Sequence, residues 1–178
     1  MRRKIVMFVL IILFYLLQVT VFKALAFAFV SPNLMIILVT SIGLMRGRKE
    51  GLVIGFCGGL IIDLFFSGFI GMNALFYMTI GYLNGFFSKQ FFKDDIKLPM
   101  ALILGSDFLF NLFVYISFFL LRGRYQFGYY MLNLIIPELI YTLVVSIPLY
   151  FILLKLNNKL EAVEKKGAVK FGQIKEDI

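Results

Sequence analysis

The chain has 178 residues, of which 61% are apolar and only 16% charged, and its mean hydropathy is +0.94. Soluble domains hold about 45–50% apolar and roughly 25% charged residues, so this composition excludes a water-soluble fold. The absence of His and the single Cys57 exclude a disulfide framework, a zinc or haem ligand set, and Ser-His or Cys-His catalysis. The formal charge of +8 fits loops that fix membrane topology, and we expect no nucleic-acid partner.

Apolar stretches and basic clusters alternate along the chain and predict six transmembrane helices, at about residues 5–22, 32–45, 52–66, 72–87, 98–121 and 129–154. The first stretch is too long for the apolar part of a signal peptide, so we expect it to be retained. In the second, Ser31 and Pro32 predict a helix start, as N-cap and first helical residue. We favour a short helix with an irregular lead-in over a longer helix kinked at Pro32. The last span is expected to kink at Pro137.

The distribution of basic residues predicts that both termini are cytoplasmic. With the N-terminus inside, 15 of the 18 Lys and Arg residues fall on the cytoplasmic side, which is a strong positive-inside signal. Among them Arg46, Arg48 and Lys49 form a short charged turn that we interpret as a topology anchor. Residues 155–178 are predicted to be a cytoplasmic basic tail near anionic headgroups, unstructured after Gly167. The predicted fold is therefore an all-α integral membrane protein.

Four spans each carry a row of small or polar residues at a spacing of four, which places the row on one helix face. Lipid can meet only the opposite, apolar faces, so these rows are expected to face the bundle interior as helix-packing or partner-binding surfaces. The rows are Gly51, Gly55, Gly59 and Asp63 in span three; Asn73, Tyr77, Gly81 and Gly85 in span four; Asp107, Asn111 and Tyr115 in span five; and Glu138, Thr142, Ser146 and Tyr150 in span six.

Three carboxyl groups, those of Asp63, Asp107 and Glu138, are predicted at membrane depth with no basic residue at the same level. They must be protonated, hydrogen-bonded to groups such as Asn73 or Asn111, or paired with a partner protein. Helix-to-helix hydrogen bonding, a partner-binding or conformational role, and proton or substrate transport all remain open. The residues around the aspartates do not resemble the motifs of intramembrane aspartyl proteases, and we predict no catalytic, cofactor or metal site.

The segment from Gly55 to Leu75, GFCGGLIIDLFFSGFIGMNAL, resembles the most recognisable segment of the MreD family of bacterial rod-shape-determining membrane proteins. The matching features include Gly55-Phe56, Gly59, Asp63-Leu64, Gly68, Gly71 and Ala74-Leu75, followed by Gly81-Tyr82-Leu83. Pro32-Asn33-Leu34, the basic turn at residues 46–49, Pro137-Glu138 and Pro148 also resemble the family. With the length and the six spans, the resemblance covers nearly the whole chain.

This resemblance implies a non-enzymatic scaffold subunit of the elongation machinery, the elongasome or Rod complex, in the bacterial cytoplasmic (inner) membrane. Such proteins are thought to bind MreC and, through it, to work with MreB, a RodA-type glycosyltransferase and a class B penicillin-binding protein in lateral peptidoglycan synthesis. Membrane lipid is the other expected partner, and no cofactor is implied.

The resemblance also implies a six-helix fold similar to the substrate-binding component of energy-coupling-factor transporters, so a vitamin-type transporter component is the alternative function. Those components dock through an Ala-x-x-x-Ala motif in the first span. Residues 5–22 contain no Ala, and Ala24 and Ala28 lie beyond that span. This departure weighs against the transporter alternative.

Overall fold

A computed structural model describes residues 2–25, 30–66, 70–90, 96–118 and 127–176, and every regular element in these ranges is a helix. The predicted all-α class is therefore confirmed. The predicted end of span five at residues 119–121 and the outer basic residues Arg122 and Arg124 lie outside the described ranges. The elements are α1 (Arg2–Leu17), continued by π-helical Gln18–Phe22; α2 (Leu34–Arg46); α3 (Arg48–Phe66); α4 (Met72–Asn84), continued by 3₁₀-helical Gly85–Gln90; α5 (Lys97–Phe118); α6 (Phe127–Tyr130); and, after π-helical Met131–Ile135, α7 (Ile136–Glu176).

Three helices in the described ranges are long and apolar enough to cross a membrane: Arg3–Phe22, Lys97–Ser117 and Phe127–Glu164. The helices α2 and α4 have 13 residues each, which corresponds to about 20 Å against a hydrocarbon core of roughly 30 Å. Helix α3 is longer but carries Arg48, Lys49, Glu50 and Asp63. Six-span topology thus stays a prediction.

Helix α2 lies at the centre of the fold. It packs against α1, α3, α4, α5 and α7, and all its residues from Leu34 to Met45 are buried. A helix that is apolar on nearly every side can be buried on every side by protein or by lipid. The sequence LMIILVTSIGLM has this character, and in this fold it is the other helices that cover it.

Both ends of α2 differ from the prediction. The N-cap is Asn33, whose side chain accepts a hydrogen bond from the Ile36 amide, and the predicted cap at Ser31 is wrong. At the other end the turn is shorter than predicted and consists of Gly47 alone, because Arg46 ends α2 and Arg48 begins α3. Gly47 has a φ of 93°, a conformation that costs glycine little. With 13 residues α2 has the short form that the sequence favoured, whereas most of the predicted irregular lead-in, residues 26–29, lies outside the described residues.

The last helix is irregular at its start and regular at its end. A π-helical segment, Met131–Ile135, directly precedes Pro137. Proline lacks the N–H that the carbonyl four residues earlier would accept, so the irregular turn falls where that bond is missing. Helix α7 then continues to Glu176, and the prediction of an unstructured tail after Gly167 is wrong.

Candidate functional site

The start of α2 is buried, and its free backbone amides are satisfied by side chains from three places. The Asn33 amide donates to Thr142 Oγ1 of α7 at 3.1 Å, and the Met35 amide donates to Gln18 Oε1 of the α1 extension at 3.1 Å. The Ile36 amide donates to the side chain of Asn33 itself at 3.2 Å. A helix start has four amides without helical partners, and each would be costly to leave open in an apolar interior. These bonds therefore join α1, α2 and α7.

A buried polar cluster surrounds this helix start. The Tyr77 hydroxyl of α4 donates to Asn33 Oδ1 at 3.0 Å, and Asp107 of α5 lies beside Thr142 and Asn33. Asp107 is completely buried, and Tyr77 is 2% exposed. We call this group the buried polar cluster; its buried members are Asn33, Tyr77, Asp107, Asn111 and Thr142, and the half-buried Glu138 also belongs to it.

The cluster contains two carboxyl groups, those of Asp107 and Glu138, that influence each other electrostatically. Glu138 interacts electrostatically with Asp107 and lies beside the Asn111 side chain. Asn111 also donates to the Asp107 backbone carbonyl at 3.1 Å. Neither carboxyl oxygen of Asp107 has a hydrogen bond of good geometry to any residue in the described ranges. Chemically, the arrangement can accept donors from several helices at once and so hold α2, α4, α5 and α7 in one packing.

Asp63 is 1% exposed, as expected for its inward-facing row, and its carboxylate lies at the start of α4. Its carboxylate accepts hydrogen bonds from the amides of Gly71, Asn73 and Ala74 and from the Asn73 side chain, at 2.9 to 3.2 Å. Acidic side chains are favourable at a helix N-terminus, where amides lack partners. Asp63 therefore ties the end of α3 to the start of α4, and of the alternatives left open for the three carboxyl groups it shows hydrogen bonding, with Asn73 as one donor.

The glycine rows of spans three and four meet each other. A Cβ atom built on Gly55 would lie 2.2 Å from the Tyr77 carbonyl oxygen, and one built on Gly59 would lie 2.4 Å from Ala74 Cα. A Cβ on Gly51 would likewise meet the backbone of Gly81, and a Cβ on Gly81 would meet the backbone of Gly51. Gly85 in turn faces the backbone at the start of α3. The two helices therefore touch backbone to backbone along this stripe, as small-residue stripes allow.

The three predicted topology anchors have different surroundings. The Arg46 side chain is only 7% exposed; its Nε donates to Asn157 at 2.6 Å, and its guanidinium lies 3.6 Å from Glu164. Arg48 is exposed and stacks 3.6 Å from the centre of the Phe86 ring. Lys49 is exposed. Arg46 thus connects α2 to α7, a role that a charge count does not reveal.

Several connecting residues were missed by the sequence reasoning. Asn84, 4% exposed, donates to Ser106 of α5 at 2.7 Å and to Thr40 of α2 at 3.4 Å. Gln18, which accepts from the Met35 amide, is another such residue, since it belongs to none of the predicted polar rows. Asn84 lies three residues after Gly81, beside the predicted row, and a search for polar residues at spacings of three as well as four would have found it.

In the described ranges, no group of three or more His, Cys, Asp or Glu side chains is placed to hold a metal ion.

Comparison with known proteins links this arrangement to one family. No significant match was found among curated proteins or among solved structures. Residues 1–160 match the family described as rod shape-determining protein MreD. The match spans α1 to the middle of α7 and so includes the buried polar cluster, Asp63 and the glycine stripe. With three helices of membrane-spanning length, this indicates a membrane protein. The chain therefore belongs to the MreD family of rod shape-determining proteins.

Proposed function

We propose that the protein is a non-enzymatic scaffold subunit of the bacterial elongation (Rod) complex, which binds MreC and supports lateral peptidoglycan synthesis and rod shape. Through MreC it would work with MreB, a RodA-type glycosyltransferase and a class B penicillin-binding protein. The observation that carries the proposal is the family match over residues 1–160.

The use of polar residues supports a scaffold role. The buried polar cluster and Asn84 bind across helices, and Asp63 closes the α3–α4 connection. Intramembrane polar groups used in this way fix one helix arrangement. Large apolar side chains meanwhile remain exposed on α1, α3 and α7, including Phe8, Leu64 and Ile140. A rigid interior with an apolar exterior suits a protein that offers its surface to lipid and to a partner's membrane helix.

We further propose six spans with both termini in the cytoplasm of the inner membrane. A charged network supports this topology, because Arg3 pairs with Glu50 and Glu164, and Arg46 also pairs with Glu164. The start of α1, the α2–α3 junction and the later part of α7 therefore lie at one end of the bundle. These segments carry most of the basic residues that were assigned to the cytoplasm.

Cysteine labelling tests the topology. After Cys57 is replaced by Ser, a cysteine at Lys23 or Gly71 should react with an impermeant thiol reagent applied from outside, whereas one at Gly47 should react only after the membrane is opened. Labelling of the Gly47 variant in intact cells would contradict the six-span arrangement.

Recovery from native membranes tests the function. An affinity-tagged chain, solubilised in mild detergent, should bring down MreC. Recovery of an energy-coupling ATPase module without MreC would instead support the transporter alternative. The family match offers no support for that alternative. Depletion of the protein should produce rounded cells, and the wild-type chain should restore rods.

A further inference from the structure

A cleft of about 570 Å³ opens between α1 and α3 at the end of the bundle where Arg3 meets Glu50. Its floor is apolar, and its rim is basic. The floor includes Met7 and Ile11 of α1 with Val53 and Cys57 of α3, and the rim includes Lys4 and Lys49.

The rim keeps a net positive charge. Glu50, the acidic residue of the cleft, is already paired with Arg3. Lys4 and Lys49 are both exposed, and neither takes part in an ion pair with any side chain that the structure describes. Two ammonium groups, each with three donors, therefore face the same opening. This arrangement is complementary to a phosphate group.

The length of the cleft matches one leaflet of a bilayer. From Lys49 to Cys57 the helix rises about 12 Å, close to half of the roughly 30 Å hydrocarbon core. Beyond it, α1 and α3 come together again where the Tyr15 and Phe65 rings lie 5.6 Å apart. A partner's membrane helix, or a second copy of this chain, would need a groove that continues across the whole core. A single acyl chain needs only this depth.

We propose that the α1–α3 cleft binds one anionic glycerophospholipid, with its phosphate between Lys4 and Lys49 and an acyl chain along Val53 and Cys57. On the proposed topology the lipid belongs to the cytoplasmic leaflet, where basic pockets between helices select anionic headgroups. The bound lipid would fill the gap between α1 and the α3–α4 pair.

Native mass spectrometry of the full-length protein in detergent tests the proposal, with phosphatidylglycerol and phosphatidylcholine supplied in equal amounts. The wild-type protein should retain phosphatidylglycerol preferentially. The double variant K4Q/K49Q should lose roughly 30-fold in affinity for phosphatidylglycerol, as expected for two lysines near an anionic headgroup. The control K89Q/K159Q removes the same charge elsewhere and should bind like the wild type.

A second variant tests the apolar floor without changing charge. Val53→Trp should fill the cleft and reduce lipid retention, and this test stays valid if K4Q/K49Q fails to fold. Leu132→Trp, at another exposed position, should leave lipid retention unchanged. Equal retention of the two lipids by the wild-type protein, or unchanged retention in Val53→Trp, would overturn the proposal. Complete competition by glycerol 3-phosphate would overturn the acyl-chain component, and a protein dimer in place of the lipid would identify a second copy as the occupant.

Discussion

Replacing Gly55 by Ala probes the closest approach of α3 and α4. The new Cβ would lie 2.2 Å from the Tyr77 carbonyl oxygen, where ordinary contact begins at 3.4 Å, so the helices must separate by about 1.2 Å. The obstacle is backbone within a helix and cannot rotate away. Overpacking costs about 1–3 kcal/mol, and we expect the upper end, about 3 kcal/mol. For a chain of this size that corresponds to a fall of roughly 6–12 °C in Tm.

Two matched glycines calibrate the measurement. A Cβ on Gly105 meets nothing within 4 Å, and its substitution by Ala should be neutral or stabilise the helix by up to about 1 kcal/mol. A Cβ on Gly58 meets the Met35 sulfur at 2.7 Å, a flexible group, so this variant should fall between the other two. The assay is thermal unfolding of the purified proteins in one detergent, followed by circular dichroism. If Gly55→Ala and Gly105→Ala melt at the same temperature, the backbone contact between α3 and α4 is refuted.

Three further predictions use polar residues. Asp63→Asn should lower Tm by less than Asp63→Leu, but both variants should have a lower Tm than the wild type. The donors at Asp63 bond to two carboxylate oxygens, whereas an Asn side chain offers them one acceptor oxygen. Equal Tm values for Asp63→Asn and the wild type would contradict the capping role. Arg46→Gln should lower the free energy of unfolding by about 1–3 kcal/mol, because the bond to Asn157 is lost. Arg48→Gln should lower it by only about 0.5–1 kcal/mol, because Arg48 stacks on an exposed ring. Chemical denaturation ranks the two variants, and the reverse order would be evidence against the Arg46 connection. Glu138→Gln should restore rod shape in a depleted strain better than Glu138→Leu, since Gln keeps hydrogen-bonding capacity; complete failure of Glu138→Gln at normal abundance would point to a charged or proton-carrying role.

The sequence predicts the helical class and the helix-packing stripe well, because both depend on local patterns. Apolar runs fix where helices form, and glycines at a spacing of four indicate a close approach. What the pattern cannot supply is the partner of each residue. Asp63 and Glu138 are both predicted as inward-facing carboxyl groups, but Asp63 caps the next helix, whereas Glu138 interacts electrostatically with Asp107 of α5.

Helix ends were the least predictable features. Ser31-Pro32 is a good local start signal, yet α2 begins two residues later because Asn33 is held by Tyr77 and Thr142 from distant helices. Distant contacts also decide the surroundings of Arg46, which the sequence analysis interprets as part of a charged turn. Its burial against Asn157 follows from the extension of α7 beyond the predicted span. Tertiary contacts decided both positions.

The capping of α2 by side chains from both ends of the chain constrains the order of synthesis and assembly. Gln18 is made before α2, but Thr142 follows Asn33 by 109 residues. While the chain is being made, the Asn33 amide must therefore be satisfied by water or by the insertion machinery, since lipid offers no partner. Helix α2 reaches its final buried position only after α7 has been made and docked. A nascent chain that stops before α7 thus has a central helix whose Asn33 amide lacks its side-chain acceptor.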